Sequence, residues 1–360
     1  MLKYDPAVFA VGEDYQIMVP VTSNSLFWIE IDGKSFYDEQ NGIMRSLCLI
    51  HRVLVPMHIL DMAKRYTVCE REIIDRKPYF PVTVDTVRTE FEFKPVPNDD
   101  IRIYHVADTH NKVEEPVAAS RLFGKIDLLI MNGDIPEHSG QISNFYTIYS
   151  IAEKITHGKI PIVFARGNHD LRGYHAEEIL QYTPNSNGNT YYTFKLGSVW
   201  GLVLDCGEDK DDTHAEYGLT VRCHIFRERQ TEFIKYIIKN AGTEYNSEGI
   251  MHKIIISHNP FTYQLPEPFN IESEIYSEWA RLIKENIKPE LMICGHLHKL
   301  CISYKGDKMD NLGQPSTLII GSDVNNEYHA GCGLTLKKGS KTEVTFCKSN
   351  GLKENIVLEK

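Results

Sequence analysis

Five short motifs, each placed directly after an apolar run, carry the residue types in this 360-residue chain that suit chemistry: Asp108-Thr109-His110, Gly133-Asp134, Gly167-Asn168-His169-Asp170, His258-Asn259-Pro260 and Gly295-His296-Leu297-His298. Together they offer seven nitrogen and oxygen donors, Asp108, His110, Asp134, Asn168, His258, His296 and His298. Imidazole with carboxylate suits Mn, Fe, Zn or Ni better than Ca or Mg, and a thiolate-rich structural zinc is disfavoured because no cysteine stands in these motifs. Seven donors are enough for two ions that share a carboxylate, with Asp134 the best bridge. A pair of ions roughly 3.5–4 Å apart clamps the attacking and leaving oxygens of a phosphoryl displacement. Two divalent ions set against Asp108, Asp134 and one hydroxide leave a surplus of positive charge that attracts phosphate. A third carboxylate would cancel it, which is a physical reason for an amide at Asn168.

These side chains need strands to aim them. Ile101–Ala107, Ile126–Asn132, Ile160–Ala165, Trp200–Leu204, Lys253–Ser257 and Leu291–Cys294 are short, mostly continuous apolar runs, as expected of strands covered on both faces. Helix candidates lie between them at Ser143–His157, at Arg229–Asn240 with Phe233, Ile234, Ile237 and Ile238 on one face, and at Glu274–Asn286. Tyr191–Leu196 and Trp200–Leu204 around Gly197 read as a hairpin, so the sheets of this α/β domain are mixed. In such sheets ligands bind beyond the carboxyl ends of the strands, and the five loops are expected to converge there.

The first hundred residues read differently. Tyr15–Val21, Leu26–Ile31, Lys34–Tyr37 after the Asp32-Gly33 turn, His51–Pro56, Tyr66–Ile73 and Thr89–Val96 are strand-like. Leu60 and Tyr66 have the spacing of a sandwich's tyrosine corner, and Trp28 is the candidate core aromatic. Residues 1–97 are therefore expected to form a fibronectin III or immunoglobulin-like β-sandwich, with 98–360 a second domain after the Pro- and Asp-rich stretch Pro95–Asp100. An irregular β extension of the second domain is the alternative.

In order and spacing, D-x-H, G-D, G-N-H-D, a single His and G-H-x-H resemble the motifs of the calcineurin-like metallophosphoesterase superfamily, over roughly residues 100–300. The resemblance implies a four-layer αββα sandwich with a binuclear metal centre at the strand ends. One ion would take Asp108, His110, Asp134 and His298, the other Asp134, Asn168, His258 and His296. His169 would lie just outside the ions and protonate the leaving alkoxide or stabilise the transition state, with Asp170 orienting it and a metal-bound hydroxide attacking. A β domain ahead of such a catalytic domain resembles purple acid phosphatases, with two departures. Those enzymes bind ferric iron through a Tyr three residues after the bridging Asp, where this chain has Glu137, and they lack a His at the position of His110. The first-motif His is shared with the cyclic-nucleotide, glycerophosphodiester and nuclease branches.

Charge and composition set the substrate's size. The formal net charge of −10 argues against a nucleic-acid face or an anionic membrane surface, and the acidic Glu208–Asp212 stretch, read as a solvated loop near the site, would repel a polyanion. A small phosphate ester, as a mono- or diester, is the expected substrate. A nuclease or phosphoprotein phosphatase is the alternative within the class, and a binding protein working through its β-sandwich is the alternative outside it. His138, Arg166 and Arg172 are candidate substrate contacts, whereas His51, His58, His105, His157, His175, His224 and His252 lack supporting spacing and read as core or surface. Eight scattered Cys without a C-x-x-C pair, no basic and apolar leader at the N-terminus and no run of 18 apolar residues suggest a soluble, cytoplasmic chain with reduced thiols.

Overall fold

The computed structural model describes residues 1–358. The apolar runs ahead of the motifs are strands, Ile101–Val106, Leu128–Asn132, Ile162–Ala165, Val199–Leu204, His252–Ser257 and Leu291–Cys294. They divide between two sheets: the first three run parallel in one, the last three parallel in the other. The sheets share a core, with Ile103, Leu128, Ile130 and Val163 of one joined to Val203, Ile254, Ile256 and Ile293 of the other.

Alternate residues on the same strands point outward, as the two-residue period of a strand requires. Tyr104, Leu129, Met131 and Phe164 pack with Ala119 and Phe123 of the helix Glu114–Phe123 and with Ile148 and Ala152 of the helix Ile142–Thr156. Trp200, Leu202, Ile255 and Met292 pack with Ile234 of the helix Cys223–Lys239 and Trp279 of the helix Ser273–Leu282. Two-sided burial explains the uninterrupted apolar runs, and the result is a mixed α/β sandwich with helices outside. The hairpin of Tyr192–Leu196 with Val199–Leu204 is antiparallel. C-terminal strands not anticipated from sequence extend both sheets, His329–Leu336 pairing with Ile101–Val106 and Thr317–Ile320 with Leu291–Cys294. Among the described residues, no helix is long and apolar enough to cross a membrane.

The N-terminal residues form two further β layers. Ala7–Val11, Asp14–Pro20 and Ile50–Pro56 make one, and Lys34–Tyr37, Ser25–Ile31, Arg65–Asp75 and Val87–Glu92 the other. The first layer does not stand apart from the α/β domain. Ala7–Val11, a strand the sequence reading passes over, lies parallel to Ile162–Ala165 with Phe9 opposite Ile162, so the layer continues the first sheet. The pairing covers an edge that would otherwise present bare backbone groups. Residues 93–100 are indeed free of helix and strand, yet Val8, Ile17 and Val53 on one side of them share a core with Ile101 and Leu128 on the other.

Two expectations for these layers change. The residues of Ser25–Ile31 that face inward are Ser25, Phe27, Ile29 and Ile31, so Phe27 is the buried aromatic and Trp28 lies on the other face, its indole N–H donating to Glu30 at 2.9 Å. Tyr66 is 1% exposed, but its hydroxyl donates to the carbonyl of Gly158 at 2.8 Å instead of closing a corner beside Leu60. It is a tie between the N-terminal layers and the α/β domain. Tyr66→Phe should cost about 1–2 kcal/mol, because a buried carbonyl loses its donor. Urea unfolding with an unchanged slope and a lower midpoint is the expected result, and an unchanged midpoint would show that the tie contributes nothing.

Candidate metal centre

The chain bends sharply where three of the strands run into their motifs. Asp108, His110, Asp134, His296 and His298 all have positive φ, from 45° to 68°, although none is glycine. Each such residue costs on the order of 1 kcal/mol and persists only when its surroundings enforce it. The bends let residues two apart, Asp108 with His110 and His296 with His298, face the same space. The glycines of the motifs serve close approach. A Cβ on Gly133 would stand 2.6 Å from both Gly167 Cα and the His258 ring, and one on Gly167 would run into the Asp134 carboxylate.

Five of the seven predicted donors, Asp108, His110, Asp134, His258 and His298, form one network of direct side-chain contacts, and His296 with Asn168 joins it through the His296 backbone N–H, which donates to Asp108 at 3.0 Å. Asp108 Oδ1 lies 3.3 Å from His298 Nε2 and 3.6 Å from His258 Nε2. Asp134 Oδ2 is 3.1 Å from the same His258 Nε2. His110 Nε2 and His298 Nε2 face each other at 3.3 Å, and Asn168 Oδ1 is 3.1 Å from His296 Nδ1. Asp108, Asp134, Asn168 and His258 are 2% exposed or less.

The donor set fits cations. His258 donates Nδ1–H to the Asn132 carbonyl at 2.7 Å, which leaves the Nε2 lone pair aimed between two buried carboxylates without a hydrogen-bond partner. A lone pair there is tolerated only with a cation, proton or metal, between it and the oxygens. Burial opposes charge on this imidazole, but Asp134 and Asp108 push it up to about 10. Burial likewise works against Asp108, yet His258 and His298 hold it well below the usual carboxylate range. His296 is pulled down to about 4 by burial and by His258, and burial also lowers His110. Anionic carboxylates and neutral imidazoles are the forms that ligate.

Residues around this cluster take roles that differ in part from expectation. His169 donates Nδ1–H to the carbonyl of Glu137 at 2.9 Å, so its Nε2 faces the cluster, 4.0 Å from Asp134 Oδ2. Asp170 does not orient that ring. Its carboxylate accepts the backbone N–H groups of Gly167 at 2.7 Å and Asp134 at 3.3 Å, tying two motif loops together. Glu137, where purple acid phosphatases carry Tyr, lies 3.3 Å from His110 Nδ1 through its carboxylate. Arg166 is committed to buried Asp205 at 2.6 Å and stacks near Phe226, a supporting role. The His138 ring caps its own loop by accepting from Gly140 N–H at 2.9 Å. Arg172 comes closest to the centre: Nη1 is 3.2 Å from His169 Nε2, while Nε and Nη2 grip Glu208 at 2.9 and 2.8 Å. Glu208 is 1% exposed, so the acidic stretch is not a solvated loop at this point but the anchor of Arg172.

Sequence reasoning missed Ser322 and Asn132. The buried Ser322 hydroxyl donates to Asp108 Oδ2, and the Asn132 carbonyl sets the His258 tautomer. Neither sits in a motif with donor spacing, although Asn132 immediately precedes Gly133-Asp134.

The fold and the cluster define a phosphoesterase-type centre at the open ends of a two-sheet sandwich. Residues 101–300 match the model of the calcineurin-like phosphoesterases, and the chain belongs to that family. Its fold is similar to that of the purple acid phosphatase PPD1 from yellow lupin (Lupinus luteus) seeds, with a TM-score of 0.60 and 13% identity over 98% of this chain and 74% of that one. A dimetal phosphatase from Danio rerio aligns over 74% of this chain and 100% of its own, at 11% identity and a TM-score of 0.48. The serine/threonine-protein phosphatase CPPED1 of Bos taurus is 22% identical over 175 residues, 47% of this chain. The chain spans about half the length of that curated relative, 50%.

Proposed function

We propose that the chain is a metal-dependent hydrolase of small phosphate esters. The observation that carries this reading is the convergence of His258 Nε2 on the buried carboxylates of Asp108 and Asp134, surrounded by four further imidazole and amide donors. Asp108, His110, Asp134 and His298 would hold one transition-metal ion and Asp134, Asn168, His258 and His296 the second, and such a pair supplies Lewis acidity and a water whose pKa falls from 15.7 towards about 7. His169, its Nδ1–H fixed on the Glu137 carbonyl, presents Nε2, which in the imidazolium form, with Arg172 turned to the phosphate, would pass its proton to the leaving oxygen. Arg172, held by Glu208, turns its remaining guanidinium N–H groups towards His169 and is placed to orient a phosphate oxygen.

The groove beside Arg172 is lined by Leu171, Tyr174, Glu177, Glu216 and Tyr217. Aromatic and acidic side chains there suit an uncharged or cationic leaving group and repel a polyanion, in keeping with the net charge of −10. The two N-terminal β layers, one continuing the α/β sheet and the other a sheet of five strands, support a fibronectin III-like reading of that unit. Eight unpaired cysteines support a reducing, cytoplasmic setting.

The test compares p-nitrophenyl phosphate with its bis ester, using protein stripped of metal and reloaded with Mn, Fe, Zn or Ni. Turnover of at least one ester that requires metal is expected, and the preferred ester assigns mono- or diesterase. Saturation with metal and no turnover of either ester would overturn the reading.

A further inference from the structure

A second convergence of metal-type donors lies in the N-terminal layers, away from the strand-end cluster. Asp38 directly follows the strand Lys34–Tyr37, His51 lies in the strand Ile50–Pro56, and Cys48 precedes His51 by three residues. Asp38 and His51 are 2% and 0% exposed, and Cys48 is half-buried. Cys48 Sγ is 3.6 Å from His51 Nδ1 and 3.7 Å from Asp38 Oδ2, and these last two atoms are 2.7 Å apart.

Tetrahedral zinc, with bonds of about 2.3 Å to sulfur and about 2.0–2.1 Å to nitrogen and oxygen, sets sulfur about 3.6 Å from the other two donors. Two of the three edges already have that length. The third is closed by a hydrogen bond and would open by roughly 0.6 Å around an ion. A nucleophilic relay does not fit, because thiol and carboxylate meet the same ring nitrogen, whereas a relay needs them on opposite nitrogens. The surroundings suit a ligand histidine. Nε2 is 3.3 Å from Ser25 Oγ, to which it can donate so that the lone pair falls on Nδ1, and the ring stacks on Phe27 at 4.5 Å and 7°. Arg45 Nη1 stands nearer Asp38 Oδ1, at 3.1 Å, than Oδ2, at 3.4 Å, and Oδ2, which also accepts the Arg52 backbone N–H at 3.3 Å, is the oxygen turned to the cysteine and histidine.

We propose that Asp38, Cys48 and His51 bind one zinc-class divalent ion, separate from the pair at the strand ends, with water in the fourth position. The Cys48 thiol, pushed up to about 11 by burial and by Asp38, is protonated without metal, and the ion takes that proton's place. Bound there, the ion pins the connection from Asp38 to His51, which crosses from one N-terminal layer to the other.

Cobalt(II) tests the proposal without reference to turnover. The strand-end donors include no cysteine, so thiolate-to-cobalt charge transfer in the near ultraviolet cannot come from them. Titration of metal-free protein to three equivalents should raise that band. Cys48→Ser should lose the band and one equivalent, and keep both remaining equivalents and its hydrolysis of p-nitrophenyl phosphate. In the unmutated protein, held at a pH high enough for metal-free Cys48 to be alkylated, zinc should shield it from iodoacetamide, read by peptide mass, while half-buried Cys301 stays as reactive as before. Absence of the band at saturation, its survival in Cys48→Ser, or equal alkylation of Cys48 with and without zinc would overturn the proposal.

Discussion

Asp134→Asn should leave a folded protein that retains at most one of its two strand-end ions and has lost phosphate-ester turnover. Asp134 Oδ2 meets His258 Nε2 at 3.1 Å, and Oδ1 accepts the backbone N–H of His169 at 2.9 Å. An amide of the same shape has one acceptor oxygen. If that oxygen keeps the His169 bond, the NH₂ group turns towards the ion side, where a donor is repelled by any cation. Loss of a supporting hydrogen bond at a metal site already costs about 10–100-fold in affinity, so loss of a shared anionic ligand should cost at least about 100-fold. Folding should suffer little. In the metal-free protein the cation between the two carboxylates is His258, raised to about 10 by Asp134 and Asp108 against burial, and Asp108 alone still pairs with it. The distinguishing measurement is thermal unfolding with and without metal: the melting temperature of the metal-free variant should stay near that of the parent, while the rise on adding metal shrinks. Retention of both strand-end ions, counted in the Cys48→Ser background, with turnover within tenfold of the parent would remove Asp134 as the bridge.

His169→Ala should do the opposite, keeping both ions and losing turnover by about 10²–10⁴-fold, the usual worth of a positioned proton donor. The substitution removes the ring but not the backbone N–H that holds Asp134, so the metal loops keep their bond. The loss should depend on the leaving group. An alkyl phosphate needs a proton on its departing oxygen and should show the full effect. p-Nitrophenyl phosphate, whose leaving phenolate is already stable, should show much less. A loss of equal size on both substrates would mean that His169 acts on the phosphate itself, and a loss of metal would make it a ligand.

The site was legible in the sequence to the extent that its residues are local and its chemistry intrinsic. Asp108 with His110 and His296 with His298 are two residues apart, and a strand end followed by a left-handed bend is enough to aim both members at one point. The supporting contacts were not legible, because they join residues distant in sequence. Ser322 reaches Asp108 across 214 positions, and Tyr66 reaches Gly158 across 92. The spacing that made Tyr66 resemble a corner tyrosine is a local signal, but a buried hydroxyl goes to whichever carbonyl packing leaves without a partner. Asp170 is a similar case: the family resemblance implies that it orients His169, whereas turn geometry sends its carboxylate to the backbone of two loops. His51 looked isolated until Asp38 was brought beside it, thirteen residues away and on a different layer.

By itself, then, the sequence determined the two-sided strands and the donor types at their ends, since period and donor chemistry are properties of the residues. Only the tertiary structure decided that Ala7–Val11 would continue the α/β sheet, that Glu208 would be buried against Arg172, and that Asp38, Cys48 and His51 would meet. Each of these depends on which surfaces close over one another, and a single exposed edge or unpaired charge can be satisfied by many partners until packing selects one.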